Sequence, residues 1–155
     1  MKNIIAIDPG TIQSAYVFWL SERKEILDRG ILPNEEMLSY LKNTPGYDGL
    51  VIEMVASYGM PVGKEVFETC VWIGRFYQAS QTPVHLLYRR EVKIFLCGSM
   101  KAKDGNIRQA LLDMLGKDAC KGVSKDVWSA LAVAVTYASQ EATEAACKIA
   151  EEVGI

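Results

Sequence analysis

The sequence predicts an α/β fold: a mixed five-stranded sheet, first an antiparallel meander and then parallel strands, flanked by helices. Three observations predict it. Short apolar, β-branched runs crowd the first part of the chain with only turns between them. Later strand-like runs alternate with segments of helical periodicity, the pattern of strands joined by helical crossovers. The length, 155 residues of which 50% are hydrophobic and 23% charged, suits one compact domain, residues 1–155, with a sizeable core.

Asn3–Asp8 (NIIAID) is a buried strand closed by Pro9-Gly10, and Ser14–Leu20 (SAYVFWL) pairs with it through a tight turn at Pro9–Gln13. Lys24–Leu32 is a third strand, ending before Pro33. Asn34–Lys42 begins with Asn and two glutamates and carries helical apolar spacing, so a short helix is expected there. Gly49–Val55 (GLVIEMV) is a continuous apolar run with one acid in it, Glu53. After the turn-rich SYGMPVG, Lys64–Ser80 has helical periodicity through Val66, Phe67, Cys70, Val71, Ile73, Gly74 and Tyr77. Pro83–Tyr88 (PVHLLY) reads as the fifth strand. Helices follow at Arg89–Leu96, Asp104–Leu115 and Lys125–Glu152, the last read as one helix or as two.

Composition narrows the function classes. No run of 18 apolar residues exists, so no membrane span is expected, and the short N-terminal run that meets Asp8 is no signal peptide. Cys70, Cys97, Cys120 and Cys147 lie far apart without CxxC pairing; four free thiols suit a reducing cytoplasm. Net charge is −2, yet His85–Lys125 holds nine Lys/Arg against four acids, a surplus of five that leaves −7 on the remainder. Such asymmetry suits a polyanion partner, although a solvated lysine-bearing surface would read the same way.

The acids carry the chemistry. Sites in α/β sheets form at the carboxyl ends of neighbouring strands, and both Asp8 and Glu53 fall near such ends. Two carboxylates brought together repel unless a cation neutralises them, and hard divalent ions take oxygen ligands. Asp126, in the first turn of the last helix, is the third candidate; Val127, Ala130, Leu131, Ala134 and Val135 form the stripe that packs that helix on the sheet. Each acid also has a plain structural reading: Asp8 as an Asx-turn residue, Glu53 as a solvent-facing edge residue, Asp126 as a dipole-complementing residue after a Ser124 N-cap. The set is harder to explain that way than any one of its members.

These residues resemble the RuvC-type Holliday junction resolvases of the RNase H-like superfamily, most closely their phage-encoded relatives. The resemblance rests on IAIDPGTIQSAYVF, GLVIEMVASYGM and KDVWSALAVAVTYA, with REVKIFLCGSMKAKDGNIRQALLDMLG as the basic segment between them, and spans residues 3–138. It implies that Asp8, Glu53 and Asp126 are catalytic and hold Mg²⁺ or Mn²⁺, two ions per site, for paired hydrolysis of a four-way DNA junction. The family places a second acid three residues into the last helix, where this chain has Ser129. Ser129 could ligate weakly or through water, and Asp104 is a candidate substitute that also reads as a helix N-cap.

Lys101, Lys103 and Arg108 are the favoured phosphate contacts, with Arg75 and Lys64 second. Tyr58 could stack at the crossover or anchor its own loop. His85, the only histidine, reads as a core or sheet-face residue. A two-fold junction calls for a homodimer, and the Lys64–Ser80 helix, apolar on more than one side, suits burial by both the sheet and a partner. The rival readings are a nuclease of the same superfamily acting on other branched DNA or RNA, an actin-like phosphate-binding fold, for which 155 residues are too few, and a non-catalytic junction-binding protein.

Overall fold

The computed structural model describes residues 3–154. Ten elements follow in order: β1 (Asn3–Asp8), β2 (Gln13–Leu20), β3 (Glu25–Pro33), α1 (Asn34–Asn43), β4 (Gly49–Met54), α2 (Lys64–Ala79), β5 (Val84–Tyr88), α3 (Arg89–Cys97), α4 (Asp104–Leu115) and α5 (Val127–Glu152). The sheet order is β3-β2-β1-β4-β5; β1, β2 and β3 pair antiparallel, and β1 with β4 and β4 with β5 pair parallel. The fold is therefore the mixed five-stranded arrangement that the periodicity implies.

Both faces of the sheet are covered, which is why the central strands read as unbroken apolar runs. Ile5, Ile7, Phe18, Leu50 and Ile52 pack against α1 and α2 through Met37, Leu41, Ile73 and Phe76. Ile4, Ala6, Val17, Trp19 and Val51 face the other way, onto α3, α4 and the first half of α5. Ala130, Ala132 and Ala134 let α5 lie close to the strands, and its residues 130–136 are all buried. With period-two alternation, Asp8 follows Ile4 and Ala6, and Glu53 follows Val51, so both acids project onto the α5 face.

α5 is one helix, not two: no Gly or Pro interrupts Val127–Glu152, and the Thr143 hydroxyl donates to the Ser139 carbonyl where a break would fall. It starts two residues later than the pattern suggests. Asp126 occupies the N-cap and Ser124 lies in the preceding turn. Glu53 is no edge residue, because β4 lies between β1 and β5. His85 lies exposed on the edge strand β5, its ring 4.8 Å from that of Tyr137, so of its two readings the sheet-face one holds.

The turn after Asp8 is held from a distance. The Gly10 amide donates to Ser14 Oγ (3.1 Å), Ser14 Oγ donates to Asn34 Oδ1 (2.7 Å), and Asn34 Nδ2 donates to the Gly10 carbonyl (2.9 Å). Ser14 and Asn34 are each only 2% exposed. A Cβ on Gly10 would stand 2.4 Å from the Gln13 carbonyl oxygen, so the backbone requires glycine there. Asn34, which the sequence suggests as a helix opener, thus serves mainly to fix the chain next to Asp8. Asn34→Ala strands a buried hydroxyl and a carbonyl, and should lower the urea-unfolding free energy by about 2–3 kcal/mol; a loss under about 0.5 kcal/mol would show that the turn holds without it.

Candidate active site

Asp8 and Glu53 come together through strand register. Ile7 pairs with Ile52 across the parallel β1–β4 ladder, and the next residue on each strand is the acid. Side chains one step along adjacent parallel strands emerge on the same face, so the two carboxylates stand as neighbours at the strand ends. Glu53 is 9% exposed and Asp8 somewhat more open. Glu53 lines a cavity of about 240 Å³ together with Arg89, Asp104, Arg108, Lys125, Asp126, Trp128 and Ser129, among others.

The electrostatics show that the acids act on one another. Burial, then the charges of Glu53 and Asp126, push the Asp8 carboxyl from 3.8 up to about 8; Arg89 opposes that rise and Asp104 adds to it. Burial also raises Glu53, against the pull of Arg89. Arg89, the first residue of α3, reaches into the cluster: Nη1 lies 3.4 Å from Glu53 Oε1, and Nη2 donates to Asp104 Oδ1. Burial works against its charge, but Glu53 and Asp104 outweigh that and hold the guanidinium protonated. Lys93, one turn along α3, also lowers Glu53.

Asp126 is brought to this place by a turn in which Lys125 takes a left-handed conformation, φ 51°, unusual for a residue with a side chain. Ser129 lines the same cavity one turn into α5. Asp104 is the first residue of α4, not its cap. The N-cap position belongs to Lys103, whose amide donates to Asn106 Oδ1 (2.9 Å), leaving the Asp104 carboxylate for Arg89. Arg108 lies with its guanidinium 5.3 Å from the centre of the Trp128 ring at the cavity wall.

The other sequence candidates are dispersed. Lys101 and Lys103 are exposed on the loop leading into α4, and Tyr58 is exposed, with φ 49°, in the loop after β4. Lys64 and Arg75 belong to α2, whose layer packs on the opposite face of the sheet. Lys64 pairs with Glu68, and Arg75 pairs with Glu35 and stacks on Trp72. The structure does not bring these two to the acids. It does bring Arg89, Lys125 and Trp128, which charge counting alone could not separate from other surface residues.

The donor set, four carboxylates with hard oxygen atoms and two of them drawn into the sheet end, has the chemistry of a Mg²⁺ or Mn²⁺ site. Among the described residues, however, no three acidic, histidine or cysteine side chains converge closely enough to hold an ion as they stand. Arg89 stands between Glu53 and Asp104. A larger and mostly apolar groove, about 670 Å³ between Trp19, Met114 and Ala138, shares no residue with this cavity.

The raised Asp8 carboxyl has a sign that can be checked. The folded protein keeps a proton that the unfolded chain releases near pH 4, so without metal its stability falls as pH rises from about 4 towards 8 and then levels. Asp8→Asn removes the Asp8 share of that dependence and leaves the share of Glu53, whose carboxyl is also raised. In EDTA the variant should melt at least about 5 °C above wild type at pH 8, with the gap closing near pH 4. A variant that melts below wild type at pH 8 would contradict this electrostatic account.

Protein-family models and curated proteins yield no match to this chain. Solved structures do. The Thermus thermophilus RuvC structure superposes with a TM-score of 0.68 at 18% identity, covering 88% of this chain and 93% of that one. The T. thermophilus RuvC structure in complex with a Holliday junction substrate superposes with a TM-score of 0.70 at 17% identity, covering 89% and 93%. With that superposition over most of both chains, the chain has a RuvC-type fold.

Proposed function

We propose that this chain is a metal-dependent, structure-selective endonuclease that resolves four-way DNA junctions by paired phosphodiester hydrolysis. The observation that carries the reading is the side-by-side emergence of Asp8 and Glu53 at the ends of two parallel strands, facing Asp126. The likeness to a RuvC solved with a Holliday junction supports the choice of substrate.

Asp8, Glu53 and Asp126 would hold Mg²⁺ or Mn²⁺, with Asp104 and Ser129 as the nearest further oxygen donors. Bound there, the ions supply an activated water and stabilise charge on the leaving oxygen. The protein's own residues do the rest. The burial of Asp8 and Glu53 keeps bulk water from competing for the carboxylates, and the two strands fix their spacing without side-chain rearrangement. Arg108, Lys101 and Lys103 lie on or before α4, on the face that carries the acids, and take backbone phosphates without reading sequence. Tyr58, exposed beyond β4, is the stacking candidate for a splayed crossover base.

Paired nicking calls for two copies. On α2, Phe67 and Val71, one turn apart, are 61% and 62% exposed, an outer apolar stripe on the side away from the buried Ile73 and Phe76. A two-fold pairing of α2 with its copy would cover that stripe. Light scattering at micromolar protein should give the mass of a dimer, and Phe67→Glu with Val71→Glu should give a monomer. A wild-type monomer would count against the pairing.

The function is tested on a labelled synthetic junction beside linear duplex and flap controls, with Mg²⁺, Mn²⁺ or EDTA. Symmetric nicks, confined to the branched substrate and dependent on metal, are expected. In Asp8→Asn the rate should fall by about a thousandfold, the loss of several kcal/mol of charge stabilisation. Tight junction binding without cleavage in either metal would instead favour a junction-binding protein, for which Ser129 at the family's acid position is the supporting feature.

A further inference from the structure

The proposed chemistry leaves Arg89 unused, although it is the residue of the acidic cavity that pairs with both Glu53 and Asp104. It is also the most constrained. It starts α3 directly after β5, and its two guanidinium nitrogens are split between Glu53 on β4 and Asp104 at the start of α4. Its side chain is 33% exposed, against 12% for that of Glu53 and 82% for that of Asp104, so the pair forms a path from the sheet end to the surface. A guanidinium on a buried carboxylate answers the same need as a dication: it neutralises like charges that could not otherwise share the site. A Glu53 oxygen that accepts from Arg89 is engaged on the side facing the cavity, and a dication placed there would meet a like charge.

We propose that Arg89 is a built-in counter-cation, a positioning residue that bridges Glu53 and Asp104 in the metal-free protein and is displaced from Glu53 when a divalent ion loads. Asp104 is the anchor that receives the displaced guanidinium. Lying almost fully in solvent, it can follow the arginine outward at little cost in desolvation, which Glu53 cannot do. The like charges are thus partly neutralised before metal arrives, and metal affinity is set partly by the cation that must leave. Arg89 plays this part only if the acids bind metal, so the inference rests on the nuclease reading.

Two measurements test it, both without DNA and without turnover. Mn²⁺ binding is followed by calorimetry at mildly alkaline pH for wild type, Arg89→Gln and Arg89→Lys. Removing the resident charge should tighten Mn²⁺ binding by about tenfold in Arg89→Gln, while Arg89→Lys, which keeps the charge, should stay close to wild type. A merely structural arginine would give the reverse, weaker binding in Arg89→Gln. Should Arg89→Gln fail to fold, the wild-type protein answers by NMR: the Arg89 Nε–H resonance, assigned by its loss in Arg89→Lys, should move towards that of a solvated guanidinium as Mg²⁺ is added. Mn²⁺ affinity unchanged or weakened in Arg89→Gln, or an Arg89 resonance unmoved at saturating Mg²⁺, overturns the proposal while leaving the nuclease reading intact. A wild-type protein that binds neither ion overturns both.

Discussion

Two carboxylates, Asp8 and Glu53, are forced together by the β1–β4 register, and the rest of the molecule is arranged around the cost of that pairing. Burying one unpaired carboxylate is expensive; burying two side by side is more so. The protein answers with Arg89 from the β5–α3 junction, with Lys93 one turn further along α3, and with a proton held by Asp8 up to about pH 8. None of these would be needed by a sheet whose only task was to fold. A packed fold could have used Leu at either position at no cost, so the unfavourable charge is best explained by what it can bind.

The two faces of the sheet divide the work. The face under α1 and α2 is packed with large apolar side chains, contains Met37, Phe76 and Leu41 almost wholly buried, and carries no acid of the site. The face under α5 is built from smaller residues, with alanines at the contact, and that closeness delivers Asp126 and Ser129 to the strand ends. The buried Gly10–Ser14–Asn34 bonds tie the Asp8 turn to the start of α1, so the first acid is fixed from the opposite layer. The site therefore depends on both cores, although it opens on one side only.

Much of this was legible in the chain. The five strands are short apolar runs bounded by turns, and the acids Asp8 and Glu53 stand out because each ends a run that has no structural use for charge. The end of β1 and the whole of β4 fall where the pattern put them to within a residue. Other features were not legible, for physical reasons. Asn34 looked like a helix opener because its role lies 24 residues away, at Gly10. Arg89 was one of nine basic residues in its stretch, and only the turn from β5 into α3 singles it out. Asp104 and a helix cap have the same sequence signature, and the difference lies in which way the carboxylate turns. Lys64 and Arg75 were attractive by charge, but α2 packs on the face away from the acids and gives them Glu68 and Glu35 as partners.

Whether these acids are a metal site is measured most directly by anomalous diffraction from crystals soaked in Mn²⁺. Density bonded to carboxylate oxygens of Asp8 and Glu53 is expected, with Asp126 on the same ion or on a second one beside it. No anomalous density between Asp8 and Glu53 at saturating Mn²⁺, with both carboxylates where they stand in the metal-free protein, would contradict the metal-site reading.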